Sequence, residues 1–191
     1  MKTILFEDQV FEKKDFSTAW TKGEYDHCTF HHCDFSNLNL SGTIFSDCRF
    51  LDSNLSLAKL GKTAFKTVYF KDCKLLGMRF DQADDFLFSV SFDHCFLNHS
   101  SFYKKKLKGS QFLYCKMEEV EFSEADLSFS VWDGTDLSRA KFENTLLERA
   151  DFRLALHFSI DPEKNKIKKA KFSLPGVLGL LDVYDLDIEL H

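Results

Sequence analysis

Every fifth residue from Trp20 to Phe80 is large and apolar: Trp20, Tyr25, Phe30, Phe35, Leu40, Phe45, Phe50, Leu55, Leu60, Phe65, Phe70, Leu75 and Phe80. After a shift of two the step resumes at Leu87 and runs through Phe92, Leu97, Phe102, Leu107, Phe112, Met117, Phe122, Leu127, Trp132, Leu137, Phe142 and Leu147 to Phe152. A second slot, two residues before each centre, holds mostly small or apolar side chains, among them Cys28, Leu38, Ala58, Val68, Val90, Ala125 and Ala150. A period of five is neither the 3.6 of an α-helix nor the 2 of an ordinary strand. It fits a coil that turns a corner every five residues around an apolar interior.

Such an interior needs bulk and few interruptions. The 191 residues include 22 Phe against 2 Pro and 8 Gly, and 44% hydrophobic with 29% charged residues supports a packed core rather than disorder. The apolar runs fall short of a membrane span, and MKTILFED meets an acid before a signal-peptide core can build, so a cytoplasmic protein with no membrane contact is expected. A formal net charge of −5 leaves no general basic footprint, and direct nucleic-acid binding is not expected.

Residues 25–35, YDHCTFHHCDF, look at first like half of a zinc site. Structural zinc takes four N or S ligands at paired spacings, and the register tests Cys28, His31, His32 and Cys33 as that set. All six cysteines, Cys28, Cys33, Cys48, Cys73, Cys95 and Cys115, fall in the second slot, which the family resemblance described below implies is inward, whereas His27, His31 and His32 fall on slots it implies are outward. Thiols and imidazoles then point apart, so neither a metal nor a cofactor is expected, and buried thiols act as compact apolar filler rather than disulfides. Ser, His and Asp spread over outward slots without converging on a pocket, and no phosphate-cradling glycine loop occurs, so no catalysis is expected.

Three places break the step. DQADDF inserts two residues between Phe80 and Leu87 and puts Asp85 in a nominally inward slot, which reads as a bulge or short helical turn. Phe6, Phe11 and Phe16 keep the step but sit one phase from Trp20, which suggests a first coil joined through a kink. Lys105 also falls on an inward slot; a buried unpaired lysine is costly, so that corner is expected to open outward or bulge.

Ala125-Asp126-Leu127, Thr135-Asp136-Leu137, Ala150-Asp151-Phe152 and Cys33-Asp34-Phe35 resemble the A(D/N)LXX units of the pentapeptide repeat family, and the resemblance covers nearly the whole chain. It implies an all-β fold, a right-handed quadrilateral β-helix or pentapeptide repeat solenoid, with four units and about 20 residues per coil. Coils would stack one strand spacing apart, about 4.8 Å. On that reading residues 1–80 form N-terminal coils, 81–86 the phase break, 87–156 C-terminal coils and 157–191 a cap with a short helix. Interior columns would be Phe30, Phe50 and Phe70; Leu87, Leu107, Leu127 and Leu147; and Phe92, Phe112, Trp132 and Phe152. Outward residues 20 apart pair opposite charges in the second half: Lys104 with Glu124, Lys106 with Asp126, Lys116 with Asp136, Glu119 with Arg139, Glu121 with Lys141 and Asp133 with Arg153. In the first half Asp52 with Asp72 and Lys59 with Arg79 are like-charge pairs.

After Phe152 the pattern fades: His157 and Pro162 occupy centre slots poorly suited to a core, and Ile167, Ala170 and Phe172 return to phase. LPGVLGLLDVY then sets Leu174, Val177, Leu178, Leu181 and Tyr184 at helical spacing, and DLDIEL alternates like a strand. The end of a coil is a sheet edge that must be covered or paired, so this segment is expected to cap the solenoid and to join two copies as a homodimer.

Within the family the chain is most similar to the Qnr-type and microcin-immunity members that interact with topoisomerases. The likeness rests on the cysteine-rich opening repeats, the break near Ala83-Asp84 and the tail SIDPEKNKIKKAKFSLP followed by an apolar helix. It implies a non-enzymatic dimeric rod that imitates duplex DNA and binds DNA gyrase or topoisomerase IV, giving resistance to quinolones or to a toxin. From Glu118 to Asp151 ten acids face three bases, and Glu118, Glu143, Glu148 and Asp151, which those six charge pairs leave without a basic partner, are the candidate partner-binding acids. The alternative is a passive interaction scaffold whose partner is unrelated to topoisomerases, since two basic clusters, KKKLK and KNKIKKAK, break up the acidic field.

Overall fold

The structure, a computed structural model, describes residues 4–189. Each five-residue unit contributes at most a short extended stretch before the backbone turns through a left-handed residue. Non-glycine residues with positive φ recur at steps of five, as at His27, His32, Asn37, Asp47, Asp52, Leu57, Lys62, Thr67 and Asp72. A left-handed backbone costs an L-residue about 1–2 kcal/mol, least for Asn, Asp and His. The corner amides offset this by donating to the next coil, as His32 N does to Leu51 O (3.0 Å) and Asp52 N to Lys71 O (3.0 Å). The preference accounts for the histidines: His27, His32, His94, His99 and His157 are all corner residues.

The strands are β1 (Leu5–Glu7), β2 (Val10–Glu12), β3 (Glu24–Asp26), β4 (Thr29–His31), β5 (Ile44–Ser46), β6 (Arg49–Leu51), β7 (Ala64–Lys66), β8 (Val68–Lys71), β9 (Val90–Asp93) and β10 (Phe112–Leu113). They stack in parallel as β1-β3-β5-β7 on one face and β2-β4-β6-β8-β9-β10 on the next. Elsewhere single bridges such as Lys106↔Asp126 and Val131↔Asp151 hold the coils in register. The result is the parallel β-solenoid that the period of five implies. Pairing offsets are 19 residues in the first coil (Phe11↔Phe30), 20 in the following coils (Phe30↔Phe50) and 22 across the break (Phe70↔Phe92). The one-phase slip before Trp20 is therefore one residue missing from the first coil.

Phe30–Phe70 and Phe92–Phe152, read from sequence as separate columns, are one. Phe11, Phe30, Phe50, Phe70, Phe92, Phe112, Trp132, Phe152 and Phe172 form a continuous spine of near-parallel rings with centroids 4.2–5.5 Å apart. The two extra residues are absorbed on another face. Phe80–Gln82 forms a 3-10 turn, and the chain bulges before rejoining the stack at β9. Leu87, expected to head a leucine column, is a left-handed corner residue and 64% exposed. Phe88 takes the place near Phe65, with ring centroids 6.3 Å apart.

The bulge also corrects the reading of Lys105, which stays inward at 2% exposure. Its ammonium donates to Ala83 O (2.5 Å) and to Asp85 Oδ1 (2.6 Å) and lies 4.9 Å from the centre of the Phe88 ring. The inserted residues thus satisfy a charge that would otherwise be buried alone. Two irregularities about 20 positions apart in the sequence are one structural unit.

Coil geometry persists beyond residue 156, through Leu146↔Lys166 and Asp151↔Lys171, to the Phe172 ring. Beyond it the chain folds over the open end as two 3-10 segments, Pro175–Leu180 and Asp182–Tyr184, rather than an α-helix. Phe158 and Ile160 are buried beneath them, and Ile160 N donates to Gly179 O (2.9 Å). A Cβ on Gly179 would collide with the Phe158 carbonyl oxygen, so the close approach requires glycine. Residues 185–189 of DLDIEL form no strand, and Leu190 lies outside the described residues.

Candidate functional surfaces

Because the interior is filled with rings, leucines and thiols, the groups available for function stand on corners and flat faces. The six thiols are free and buried, as the register predicts. Desolvation pushes the Cys48 thiol up to about 12 and raises Cys28 and Cys33, which leaves all three protonated and unreactive at neutral pH.

The four candidate acids do not share a face. Glu118 follows Met117, Glu143 follows Phe142, Glu148 follows Leu147 and Asp151 precedes Phe152, and these centres belong to four different columns. Three of the four also have a basic partner that the six sequence-expected pairs left out. Arg139 pairs with Glu118 as well as Glu119, Arg153 (2.7 Å) and Lys171 (3.5 Å) pair with Asp151, and Lys164 approaches Glu143 (3.7 Å). The missed partners come from offsets of 21 and 2, and from tail lysines just beyond the stretch counted. The Arg153 guanidinium holds the Asp151 carboxyl down at about 2. Of the six expected charge ladders, Lys104–Glu124 (3.3 Å) and Arg139–Glu119 (3.0 Å) close as ion pairs. Asp136 instead faces His157 (2.9 Å), and Lys116 lies over the Phe96 ring.

Acids gather best on the face built over Phe102, Phe122 and Phe142, where Glu121, Glu124 and Glu143 line an open depression of about 420 Å³ with Arg79, Tyr103 and Asn144. Tyr103 Oη donates to Glu124 (2.7 Å), and this bond lowers the Glu124 pKa first, with help from Lys104. Sequence reasoning passed over Glu121 and Glu124 because each has a lysine 20 positions away.

The second candidate surface is the capped end. Leu174 is 88% exposed, and Val177, Leu178 and Tyr184 are also exposed, with Leu181 half-buried. They do not form the single stripe that α-helical spacing gives. At three residues per turn Val177 aligns with Leu180, which packs inward on the core, whereas Leu178 aligns with Leu181. Leu178 and Leu181 line a depression of about 440 Å³ with Leu186 and Ile188, and Tyr184 Oη donates to Glu163 (3.0 Å). Beside them a groove of about 470 Å³ runs between the last coil and the cap, bounded by Leu154, Leu156, Phe158 and Pro175. Among the described residues no helix is long and apolar enough to cross a membrane.

Comparison with known proteins agrees with this architecture. Residues 24–84 match the family model described as a pentapeptide repeat region, and residues 121–156 match the one described as pentapeptide repeats. A 51-residue stretch is 41% identical to the quinolone resistance pentapeptide repeat protein QnrB96 of Scandinavium goeteborgense. It covers 26% of this chain and 24% of that protein, so the match spans about a quarter of the relative's length. Full-length QnrB1, a plasmid-mediated fluoroquinolone resistance protein, superposes with a TM-score of 0.59 at 17% identity, over 95% of this chain and 100% of its own, which shows a shared fold.

Proposed function

Because the chain belongs to the pentapeptide repeat family, we propose that it is a non-enzymatic binding rod that docks on the DNA-binding surface of a type II topoisomerase, DNA gyrase or topoisomerase IV. By occupying that surface in place of duplex DNA, it limits damage by a quinolone or a gyrase-directed toxin. The observation that carries the reading is the 41% identity over 51 residues to a quinolone resistance protein of the same repeat type. The acidic depression around Glu121, Glu124 and Glu143 supports it as the first contact for basic residues that otherwise hold phosphates. The exposed apolar cap supports a homodimer, in which Leu174, Val177, Leu178, Leu181 and Tyr184 would be covered by the second copy.

Gyrase supercoiling with a quinolone present is the test. The proposal expects supercoiling to recover at low protein and to fall again once excess protein takes the DNA surface, whereas no change in supercoiling or in quinolone inhibition contradicts it. A second reading, a scaffold for an unrelated protein, is favoured by the ion pairs that neutralise Glu118 and Asp151. It predicts that a pull-down recovers one specific partner that is not a topoisomerase.

A further inference from the structure

The cluster that opens the repeats combines unlike parts of three successive coils. His31 ends β4 and is in register with Glu12 at the end of β2 and with Leu51 at the end of β6. The next residue in each of the upper two coils is a left-handed corner, His32 and Asp52, so both side chains leave the rod at the same edge. His31 Nε2 lies 3.3 Å from Asp52 Oδ2, its Nδ1 lies 3.9 Å from Glu12 Oε1, and the His31 and His32 rings are 4.1 Å apart. One ligand atom from each of His31, His32 and Asp52 fits within a mutual separation of 4.8 Å. The thiols nearby point into the core, so the set that converges is nitrogen and oxygen.

We propose that His31, His32 and Asp52 bind a divalent transition-metal ion of the zinc, nickel or copper class, with Glu12 orienting His31 from behind. Two imidazole nitrogens and one carboxylate oxygen suit those borderline ions, whereas calcium and magnesium take all-oxygen sets. Three protein ligands leave the fourth tetrahedral position to water. His31 binds through Nε2, and its Nδ1 then faces the Glu12 carboxylate at 3.9 Å, beyond hydrogen-bond reach but near enough for the negative charge to favour a proton on Nδ1. The ion would staple two successive coils at the amino-terminal end of the rod, remote from both surfaces discussed above.

The test is calorimetric titration of the full chain, stripped with a chelator, against zinc chloride and separately nickel chloride. One equivalent per chain is expected, together with a rise in melting temperature that grows with metal concentration. His32→Asn and Asp52→Asn keep a residue that tolerates the left-handed corner, so the apo melting temperature should hold while affinity falls at least ~10-fold. Glu12→Gln should weaken binding by no more than about 10-fold with stoichiometry unchanged. His27→Asn, in the separate Asp26–His27–Asp47 group on the neighbouring corner, should leave this equivalent intact. Absence of saturable binding, or an equivalent that survives undiminished in both His32→Asn and Asp52→Asn, overturns the assignment.

Discussion

At the scale of single residues, Lys105 shows how one ion pair decides a local conformation. Its ammonium is buried and Asp85 is largely exposed (side chains 2% and 75%), so the carboxylate can leave for water but the ammonium cannot. Asp85→Asn should destabilise the rod by about 1–3 kcal/mol, read as a lower urea midpoint. Lys105→Met in the Asp85→Asn background should recover most of that loss, because an apolar side chain of similar length needs no partner. Asp151 gives a pH signature of the opposite kind. Its folded pKa of about 2, set chiefly by Arg153, lies below the unfolded value near ~3.9. The stability it contributes is therefore complete above pH ~4 and lost as pH falls through about 2. Asp151→Asn should remove that part of the acid dependence in chemical-denaturation midpoints taken from pH 5 to 2. The inward thiols and outward imidazoles were legible from spacing alone. The partners of Lys105 and Glu118 were not, because one sits in an insertion that has no register and the other is reached at an offset of 21.

At the scale of elements, the ring spine carries the coil stack across the phase break. Phe92 stacks between Phe70 and Phe112 at 5.2 and 5.5 Å and is fully buried. Phe92→Ala should cost about 3–5 kcal/mol, and amide exchange should rise first in β8 and β9, the strands that meet there. The cap is sensitive in a different way. Gly179→Ala puts a methyl group against the Phe158 carbonyl, which should free amides of residues 174–184 to exchange while the coils stay protected. The step of five made the coils legible up to Phe80 and from Phe92 onward. Which of Leu87 and Phe88 faces inward was decided by how the bulge closes, and a period cannot encode that. The cap was legible as a cap but not as 3-10 helix, because Gly176 and Gly179 weaken an α-helix without spelling out what replaces it.

At the scale of the whole molecule, stability is a sum of coil and neighbour terms, while function depends on which faces remain free. The fold was readable almost entirely from one chain; the binding surface was not, since acids close in sequence are distributed around four faces and cancelled by bases from adjacent coils. If the cap joins two rods, sedimentation should show a dimer at micromolar concentration, and Val177→Asp with Leu178→Asp should give a folded monomer. A monomeric wild type would remove that proposal. The central claim is that the rod takes the place of duplex DNA on a type II topoisomerase. Competition on purified gyrase tests it most directly, with displacement of a fluorescent DNA duplex followed by anisotropy as the protein is added. The account predicts full displacement by the wild type and at least ~10-fold weaker competition after Glu121, Glu124 and Glu143 are changed together to Lys. Unchanged anisotropy at saturating protein, or equal competition by the charge-reversed variant, would contradict it.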